Sequence, residues 1–502
     1  MYPYPYPHRE DGSVYGRIRG SPGAETMAPP TPRALLDTLP DDVLSGIFCL
    51  LDVASLVGLR AVSHAMLERV DTLGIPLHLV SHPMGYLTRP AASSPYAHLR
   101  QNHLINTSLS RHRYHAQQIG PTWSQTVIPA LSIASSRLVL GVGGKLVVHP
   151  MEDGIVLRGR EYAVASKYQG SEADIVGVEQ EAGNGAVIVG QYDGTVQRFS
   201  LDGGTLRSTA RYHHPKGSNL HTMIASRDLI LSTTSSLVSV FSIRSPWTPA
   251  TTFDLPTKTR AWSTFLSPDQ TSLALGLASS IAFYALPLSS SSPSPTPTRT
   301  LFASSHRRSS PYALTVRPTQ PDTLLSGWYD SHLRLHDLRT PSALPYATFY
   351  DPWSDSAVYS CGFVGEHHLV AGSARHGLLS FFDRRNAKNP LGWSCFTPSG
   401  KGSPVYALKA DDGGRVWGVS EKRAFVVSFD GSANADGLLA RDVKVESDGR
   451  GRGVEQPSRW KNRGGKWGWT VRYPKEKQEE ITMGYEHRER VVNLFESLPV
   501  DP

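Results

Sequence analysis

The first apolar pattern along the chain is helical and lies at residues 36–75. Apolar side chains recur there at spacings of three and four residues, which places them on one face of an α-helix: Leu44, Ile47, Phe48 and Leu51. Thr38 is placed to cap this helix, and Pro40 falls in its first turn, where a missing N–H costs nothing. The pattern predicts three short helices with a core so small that a partner would usefully cover their exposed apolar surface.

Beyond residue 126 the pattern changes to the alternation of apolar and polar positions that is typical of strands. Seven such runs end in an aromatic or histidine side chain, at His149, Phe199, Phe241, Tyr284, His336, Phe382 and Phe429. Their spacing of roughly 40–50 residues is close to that of the four-stranded repeats of β-propellers. The series predicts a mostly β domain closed into a ring. Seven blades are the simplest count, and the degeneracy of the repeats leaves six or eight open.

Two stretches of the chain resemble known modules. Thr38–Asp52 resembles the start of an F-box, and Leu324–Arg339 resembles a WD repeat, with His336 where tryptophan is usual. Over residues 36–430 the chain therefore resembles the F-box/WD-repeat family, the substrate receptors of cullin-type SCF ubiquitin ligases. The resemblance implies an N-terminal three-helix F-box followed by a β-propeller. It also implies a subunit that holds a target protein for ubiquitination and catalyses nothing itself.

This interpretation divides the chain into five segments: a disordered tail at 1–33, the F-box at 34–80, a linker with a ring-closing strand at 81–125, the propeller at 126–430, and a flexible Gly/Arg-rich tail with a short helix at 431–502. A propeller hides its edge strands by closing the ring. Arg113–Ile119 is the preferred closing strand, and Trp467–Tyr473 is the alternative. The Ser/Pro-rich stretch Ser289–Thr300 is expected to form an exposed loop between two blades.

Composition limits the classes of function that the chain can have. Its three cysteines stand singly and give neither a disulfide framework nor zinc-like spacing. No apolar run reaches the roughly 18 residues of a membrane span, and the N-terminus has no signal-peptide core. We therefore expect a cytoplasmic or nuclear protein, or one found in both places, with no cofactor, no metal and no membrane association. No catalytic motif stands out, so the chain is not expected to be an enzyme.

The resemblance implies a binding face on the F-box for the small adaptor protein of the cullin and, through it, for the cullin itself. The residues that would form this face are Leu39, Pro40, Leu44, Ile47 and Leu51. The alternative without a docking role is an ordinary helical hairpin packed on the domain that follows it.

Aligning the first strand of each repeat brings four aromatic residues into register: Trp262, Tyr312, Tyr359 and Tyr406. That position starts the innermost strand, so the side chains are predicted to form an aromatic arc on one face, suited to gripping a peptide. Four arginines fall in loops of the same face: Arg260, Arg308, Arg375 and Arg423. With the net charge of +7 they favour an acidic or phosphorylated segment of a protein substrate. The alternative is that the aromatics pack between blades and the charges are merely solvated.

The expected function is thus substrate recognition for an SCF-type ubiquitin ligase, and three rival hypotheses stay open. The chain could bind the adaptor as a scaffold without ubiquitin transfer. It could be a WD-repeat interaction protein whose helices are not an F-box. It could also bind nucleic acid through the Gly/Arg-rich residues 446–475, where tryptophans are interleaved with basic side chains. The last is the least favoured, because repeated Arg-Gly-Gly units are missing from that segment.

Overall fold

The computed structural model describes residues 36, 38–82 and 94–430, apart from short gaps at 153–154, 167–169, 182–184, 203, 215–218, 247–248, 256–258, 287–294, 306–308, 352–353, 355, 388–391, 399–402 and 412. The chain divides into two compact units, Met1–Gly74 and Ile75–Pro502. The tails expected at 1–33 and 431–502, and with them the alternative closing strand Trp467–Tyr473, lie outside the described residues.

The first unit consists of short helices: α1 Asp41–Phe48, α2 Val53–Arg60, α3 His64–Arg69 and a π-helical turn at Val70–Gly74. The side chains of Asp52 and Ser63 cap α2 and α3 by accepting hydrogen bonds from backbone N–H groups three residues on. The predicted start of α1 is wrong. Pro40 is the N-cap, with φ −59° and ψ 150° and no side-chain capping bond. A residue before proline avoids the helical conformation, so Leu39 stays outside the helix, which begins at Asp41.

The core of the first unit is small and contains one buried side chain or two from each helix: Leu44, Phe48, Leu56, Met66 and Val70. A Cβ placed on Gly74 would lie 3.1 Å from a ring atom of Phe48 and 3.3 Å from Leu56, so the π-helical turn lies close against this core. The ion pair of Arg60 with Asp71, at 2.7 Å, ties α2 to the same turn. The predicted three-helix module is therefore confirmed as a compact unit.

The second unit begins with α4 Ile75–Ser81 and α5 Pro95–Ser110 and continues as seven antiparallel sheets that form the blades of a propeller. Blade 1 contains β2 Ala130–Ala134, β3 Arg137–Val142, β4 Lys145–Glu152, β5 Ile155–Val156 and β6 Arg160–Ala163. Blade 2 contains β7 Ile175–Gln180, β8 Ala186–Gln191, β9 Thr195–Asp202 and β10 Thr205–His213. Blade 3 contains β11 Leu220–Ala225, β12 Leu229–Thr234, β13 Leu237–Ser242 and β14 Thr251–Asp254.

The remaining blades repeat the four-stranded plan. Blade 4 contains β15 Ser263–Leu266, β16 Ser272–Gly276, β17 Ser280–Ala285 and β18 Arg299–Phe302. Blade 5 contains β19 Pro311–Arg317, β20 Gln320–Trp328, β21 His332–Asp337 and β22 Ala347–Tyr350. Blade 6 contains β23 Val358–Val364, β24 His368–Ser373, β25 Leu378–Asp383 and β26 Trp393–Phe396. Blade 7 contains β27 Val405–Asp411, β28 Arg415–Ser420, β29 Ala424–Ser428 and the N-terminal β1 His115–Ile119. Short 3₁₀ helices lie at Gly170–Ala173 and Arg384–Asn386.

The ring is closed by the N-terminal candidate strand. β1 pairs antiparallel with β29, from His115 opposite Ser428 to Ile119 opposite Ala424. Tyr114, fully buried just before β1, packs its ring against Trp393, with centroids 5.8 Å apart. Because β1 covers the outer edge of blade 7, backbone hydrogen bonds join the strand that precedes blade 1 in the chain to the last blade. The prediction for Arg113–Ile119 is confirmed.

The seven repeat positions read from the sequence lie in the third strand of each blade, or directly after it for Phe429, and all seven side chains are buried. At His336, burial and then the charges of Arg334 and Arg299 lower the imidazole pKa to about 3, so the ring is neutral where tryptophan is usual. The placement of Ser289–Thr300 between blades is wrong. The stretch lies between β17 and β18 of blade 4, and Thr300 is part of β18. The repeat pattern marks third strands only, so it could not distinguish these two places.

Candidate functional site

Strand order places two kinds of connection on one face of the ring. In a blade of antiparallel strands, the hairpin between the second and third strands shares a face with the connection into the next blade's first strand. We call this the upper face. Trp262 immediately precedes β15, and the three tyrosines of the arc are the second residues of β19, β23 and β27. All four therefore lie at the upper face.

Each of these three tyrosines, Tyr312, Tyr359 and Tyr406, is the extra residue of a β-bulge. In blade 5, for example, Pro311 pairs with Trp328 and Ala313 pairs with Gly327, which leaves Tyr312 without an opposite residue. The same shift occurs at Tyr359 and Tyr406, and at His221 in blade 3. A bulge breaks the alternation of the strand and re-aims one side chain. The local backbone thus turns these residues out of the regular pleat in blade after blade.

The four aromatic side chains form a continuous row, as predicted. Ring centroids are 4.9 Å apart for Trp262 and Tyr312, 5.4 Å for Tyr312 and Tyr359, and 6.0 Å for Tyr359 and Tyr406. These separations are in the range of favourable aromatic pairs. The row is extended by Tyr329, whose ring lies 5.9 Å from that of Tyr312 and whose side chain is 62% exposed. These five side chains are the aromatic arc.

Close packing between blades brings the arc residues together. A Cβ on Gly276 of blade 4 would lie 2.6 Å from the backbone oxygen of Pro311, the first residue of β19. The hydroxyl of Ser263 donates a buried hydrogen bond of 2.8 Å to that same oxygen. Blades 6 and 7 meet in the same way, through Gly372 against Val405. The residue that packs between blades is therefore the one before the aromatic, and the arc side chains themselves stay half-buried or exposed.

The phenol groups of the arc have open polar tips. Within the described residues, none of the hydroxyls of Tyr312, Tyr329, Tyr359 and Tyr406 makes a hydrogen bond to another protein group. Burial raises the pKa of Tyr312, the neighbouring Tyr359 and Tyr329 hydroxyls add to this, and Arg260 opposes it. Burial also raises the pKa of Tyr406, with a further contribution from the negative charge of Glu421. Tyr312 and Tyr406 are thus neutral donors and acceptors at physiological pH.

The predicted arginines differ in what they contact. The guanidinium of Arg260 lies over the ring of Trp262, 4.0 Å from its centroid. Arg423, in the hairpin between β28 and β29, donates a 2.7 Å hydrogen bond to the Pro398 carbonyl, and burial lowers its pKa. Arg375 is exposed in the hairpin between β24 and β25. Arg308 lies outside the described residues. Arg260 is therefore the predicted arginine that the structure brings onto the arc.

Sequence alignment of first strands did not identify every aromatic residue on this face. Tyr329 belongs to a hairpin between second and third strands, and so does Tyr192, whose ring lies 6.3 Å from His221. Both tyrosines precede the aspartate of a turn, in Tyr192-Asp193 and Tyr329-Asp330. This repeated Tyr-Asp pair was the available signal, although its position relative to the arc depends on the geometry of the neighbouring blade.

The predicted adaptor-binding residues separate into two groups in the first unit. Pro40 is exposed, and Leu39, Ile47 and Leu51 are half-buried. Leu44 is 1% exposed and belongs to the core, so its assignment to the binding face is wrong. Its place one turn before the buried Phe48 explains this, because residues at i and i+4 share a helix face.

Three exposed apolar residues were missed by the sequence analysis. Val43 is 45% exposed and Leu50 is 87% exposed, and Val57 of α2 is exposed as well. Val43 and Ile47 lie one turn apart on the side of α1 next to the buried pair. We call Pro40, Val43, Ile47 and Leu50 the outward stripe. It is an apolar surface on a small helical unit, of the kind that a partner covers.

Among the described residues, no group of three or more His, Cys, Asp or Glu side chains is arranged to hold a metal ion. No helix in the described part of the chain has both the length and the apolar character needed to cross a membrane.

Comparison with known proteins gives two curated relatives. The mouse (Mus musculus) protein named F-box/WD repeat-containing protein 4 is 32% identical over 155 residues, which are 31% of this chain and 37% of the mouse protein. The human (Homo sapiens) protein of the same name is 31% identical over 155 residues, covering 31% of this chain and 36% of the human protein. The match thus spans little more than a third of either relative's length. No protein-family model matches the chain.

Among solved structures, a chain in the crystal structure of the mitotic checkpoint complex is similar to this one. The similarity has a TM-score of 0.49 and 14% sequence identity, and it covers 62% of this chain and 94% of that chain.

Proposed function

We propose that this chain, an F-box/WD-repeat protein by its relatives and its seven-bladed ring, is the substrate-recognition subunit of an SCF-type ubiquitin ligase. Its first unit would bind the small adaptor of the cullin, and its aromatic arc would bind the target protein. The mechanism is tethering. An enzyme recruited elsewhere on the complex reaches the target's lysines because the target is held at high effective concentration, and this chain makes no bond.

The observation that carries the proposal is the outward stripe of α1. None of its four residues is buried: Pro40, Val43 and Leu50, which follows the helix, are exposed, and Ile47 is half-buried. Burying one exposed leucine side chain contributes about 1.5–3 kcal/mol to the free energy of binding. A partner that buried Leu50 alone would therefore gain roughly tenfold or more in affinity. A helical unit with a separate core and an uncovered apolar stripe suits a docking module.

The arc supports the second half of the proposal. Tyrosine and tryptophan supply large rigid contact areas with polar tips, and such residues are frequent at the energetic centres of protein interfaces. In this chain they form a row on the upper face, with hydroxyl groups that no protein group in the described residues engages. The protein target would be recognised there.

The test is capture from cell extract by the full chain, read by quantitative mass spectrometry for the cullin adaptor and the cullin. Leu50→Glu introduces a charge into the outward stripe without touching the core, whereas Leu44→Ala would damage folding and confuse the result. Val80→Glu is the matched control, because Val80 is 77% exposed and lies on α4. We expect wild type and Val80→Glu to capture both proteins and Leu50→Glu to lose them by at least about tenfold.

Equal capture by all three proteins would show that the outward stripe is not the docking face. Capture by none would leave a WD-repeat interaction protein without a ligase role, which is the main alternative. A scaffold that binds the adaptor without ubiquitin transfer is distinguished by a second measurement. Proteins captured by wild type and lost on Tyr359→Ala should accumulate in cells when cullin activity is inhibited, and unchanged levels would favour the scaffold.

A further inference from the structure

The two ends of the aromatic arc differ in the charged groups beside them. At the blade 4 end, the guanidinium of Arg260 lies 4.0 Å above the Trp262 ring. At the blade 7 end, Glu421 lies in the hairpin after β28, and its negative charge helps to raise the pKa of Tyr406. An anionic group is therefore attracted to the Trp262 end. At the Tyr406 end, the basic Lys422 and Arg423 directly follow Glu421, so the charges there are of both signs.

Arg260 has hydrogen-bonding capacity that the protein does not use. Its side chain is exposed and makes no hydrogen bond or ion pair within the described residues. A guanidinium stacked on an aromatic ring keeps its N–H donors in its own plane, where they match the two oxygens of a carboxylate. Stacking on Trp262 also restricts the arginine side chain, which reduces the entropy that a ligand would have to remove.

The remaining polar groups at this end are neutral donors. The hydroxyl of Tyr312 is close enough to Arg260 for the charge to act on its pKa, and Tyr329 is the ring neighbour of Tyr312. Among the described residues at this end, two hydroxyls and one guanidinium provide several hydrogen bonds and one positive charge. That combination complements a ligand group of charge −1.

A phosphate group fits these residues less well. It carries a charge of about −1.5 to −2 at pH 7 and is usually matched by more than one cation. Among the described residues, Arg260 is the arginine whose guanidinium lies over a ring of the arc. Arg423 is half-buried and already donates to the Pro398 carbonyl, which leaves it poorly placed to supply the second charge.

We propose that the Trp262 end of the arc binds a carboxylate group of the target protein, with Arg260 as its ionic partner and the hydroxyls of Tyr312 and Tyr329 as flanking donors. The carboxylate belongs to an aspartate or glutamate side chain or to the target's C-terminus. This inference rests on the proposed function in taking the ligand to be a protein segment. Of the acidic or phosphorylated segment expected from the sequence, it favours the acidic one, recognised through a carboxylate.

In the experiment, the full chain is immobilised and the retention of oriented peptide libraries on it is measured. Four libraries share degenerate flanking positions: central glutamate with an amidated C-terminus, central phosphoserine with an amidated C-terminus, central glutamine with an amidated C-terminus, and central glutamine with a free carboxylate. We expect the first or the last library to be retained at least about tenfold better than the amidated glutamine library, because a charge-assisted pair is lost in the latter. Retention of the first assigns a side-chain carboxylate, and retention of the last assigns the C-terminus.

Two variants connect the result to the residue. Arg260→Gln should abolish the preference for carboxylate, whereas Arg207→Gln, the matched change of an exposed arginine on the outer strand β10 of blade 2, should keep it. Circular dichroism and thermal unfolding of both variants verify that each is folded. Better retention of phosphoserine than of either carboxylate library would overturn the inference. So would equal behaviour of the two variants, equal retention of all four libraries or retention of none.

The outcome is separable from that of the proposed function. Adaptor capture depends on the outward stripe of the first unit, and the arginine variants leave that stripe unchanged. Carboxylate selection without adaptor capture would make this a peptide-binding propeller with no ligase role. Adaptor capture without carboxylate selection would keep the proposed function and reject the assignment of Arg260.

Discussion

Replacing Gly276 by alanine should destabilise the propeller at the junction of blades 4 and 5, where two arc residues meet. The new Cβ would lie 2.6 Å from the Pro311 backbone oxygen, closer than real Cβ atoms approach other groups. It would also collide with the Ser263 hydroxyl, whose buried hydrogen bond to Pro311 spans 2.8 Å. Since one of the obstructing atoms belongs to the backbone, a rotamer change cannot relieve the clash. The first strand of blade 5 must shift instead.

The expected cost follows from these contacts. Overpacking a tight site costs about 1–3 kcal/mol, and the buried hydrogen bond contributes about 0.5–1.5 kcal/mol. Alanine restricts the unfolded chain and so recovers about 0.4–1 kcal/mol. The net loss in free energy of unfolding is about 2 kcal/mol, which lowers the melting temperature by roughly 4 °C in a domain of this size. Urea denaturation followed by tryptophan fluorescence measures the first quantity, and calorimetry measures the second.

Gly144 provides the matched control in the same propeller. A Cβ there would meet Ala173 at 3.6 Å, an ordinary van der Waals distance. Gly144→Ala should therefore leave stability unchanged or raise it by up to about 1 kcal/mol. If Gly276→Ala proved as stable as Gly144→Ala, the account of glycine-mediated close packing between blades would be refuted. The spacing of the arc side chains would then have to have another cause.

Two further outcomes are expected. Asp330→Asn should lower the free energy of unfolding by about 3 kcal/mol. The reason is that it leaves the buried guanidinium of Arg334 without the carboxylate that now binds it at 2.6 and 2.8 Å. Burial opposes ionisation of Asp330, but the bonds from Arg334 outweigh it and lower its pKa, so its contribution is complete above about pH 4 and is lost as the pH falls through the lowered value. Urea titrations of both proteins at several pH values should show their stabilities converging in acid, and a gap independent of pH would contradict the assignment. Iodoacetamide should modify the exposed Cys49 in the native protein but not the buried Cys361 and Cys395, whose pKa values burial raises, to about 12 for Cys361. Mass spectrometry should find one adduct before unfolding and three after it, and rapid triple labelling of the native chain would refute the described burial.

The predicted row of aromatic side chains, which depends on strand register, is present in the structure, whereas the predicted exposure of Leu44, which depends on packing between helices, is wrong. Binding of a target by the row stays a prediction. Trp262 and Tyr406 could be placed on the arc because each starts the first strand of its repeat. Leu44 could not be excluded from the docking face, because the same periodicity describes a helix face that is buried and one that is open. Only the positions of α2 and α3 decide between these two states.

Sequence by itself determined that the chain contains a ring of repeated strands and set the register of the arc, whereas the number of blades and the choice of closing strand stayed between alternatives until the sheets were seen. The repeated strands and the register depend on the alternation of side chains within one strand and on its repetition, which are local properties of the chain. Tertiary structure alone decided that Tyr329 joins the arc, that Arg260 stacks on Trp262 and that Arg423 is engaged elsewhere. The contacts of Tyr329 with Tyr312 and of Arg423 with Pro398 join different strands, hairpins or loops, and close packing between those segments sets their distances. Arg260 and Trp262 are only two residues apart, and their stacking depends on the conformation of the loop before β15.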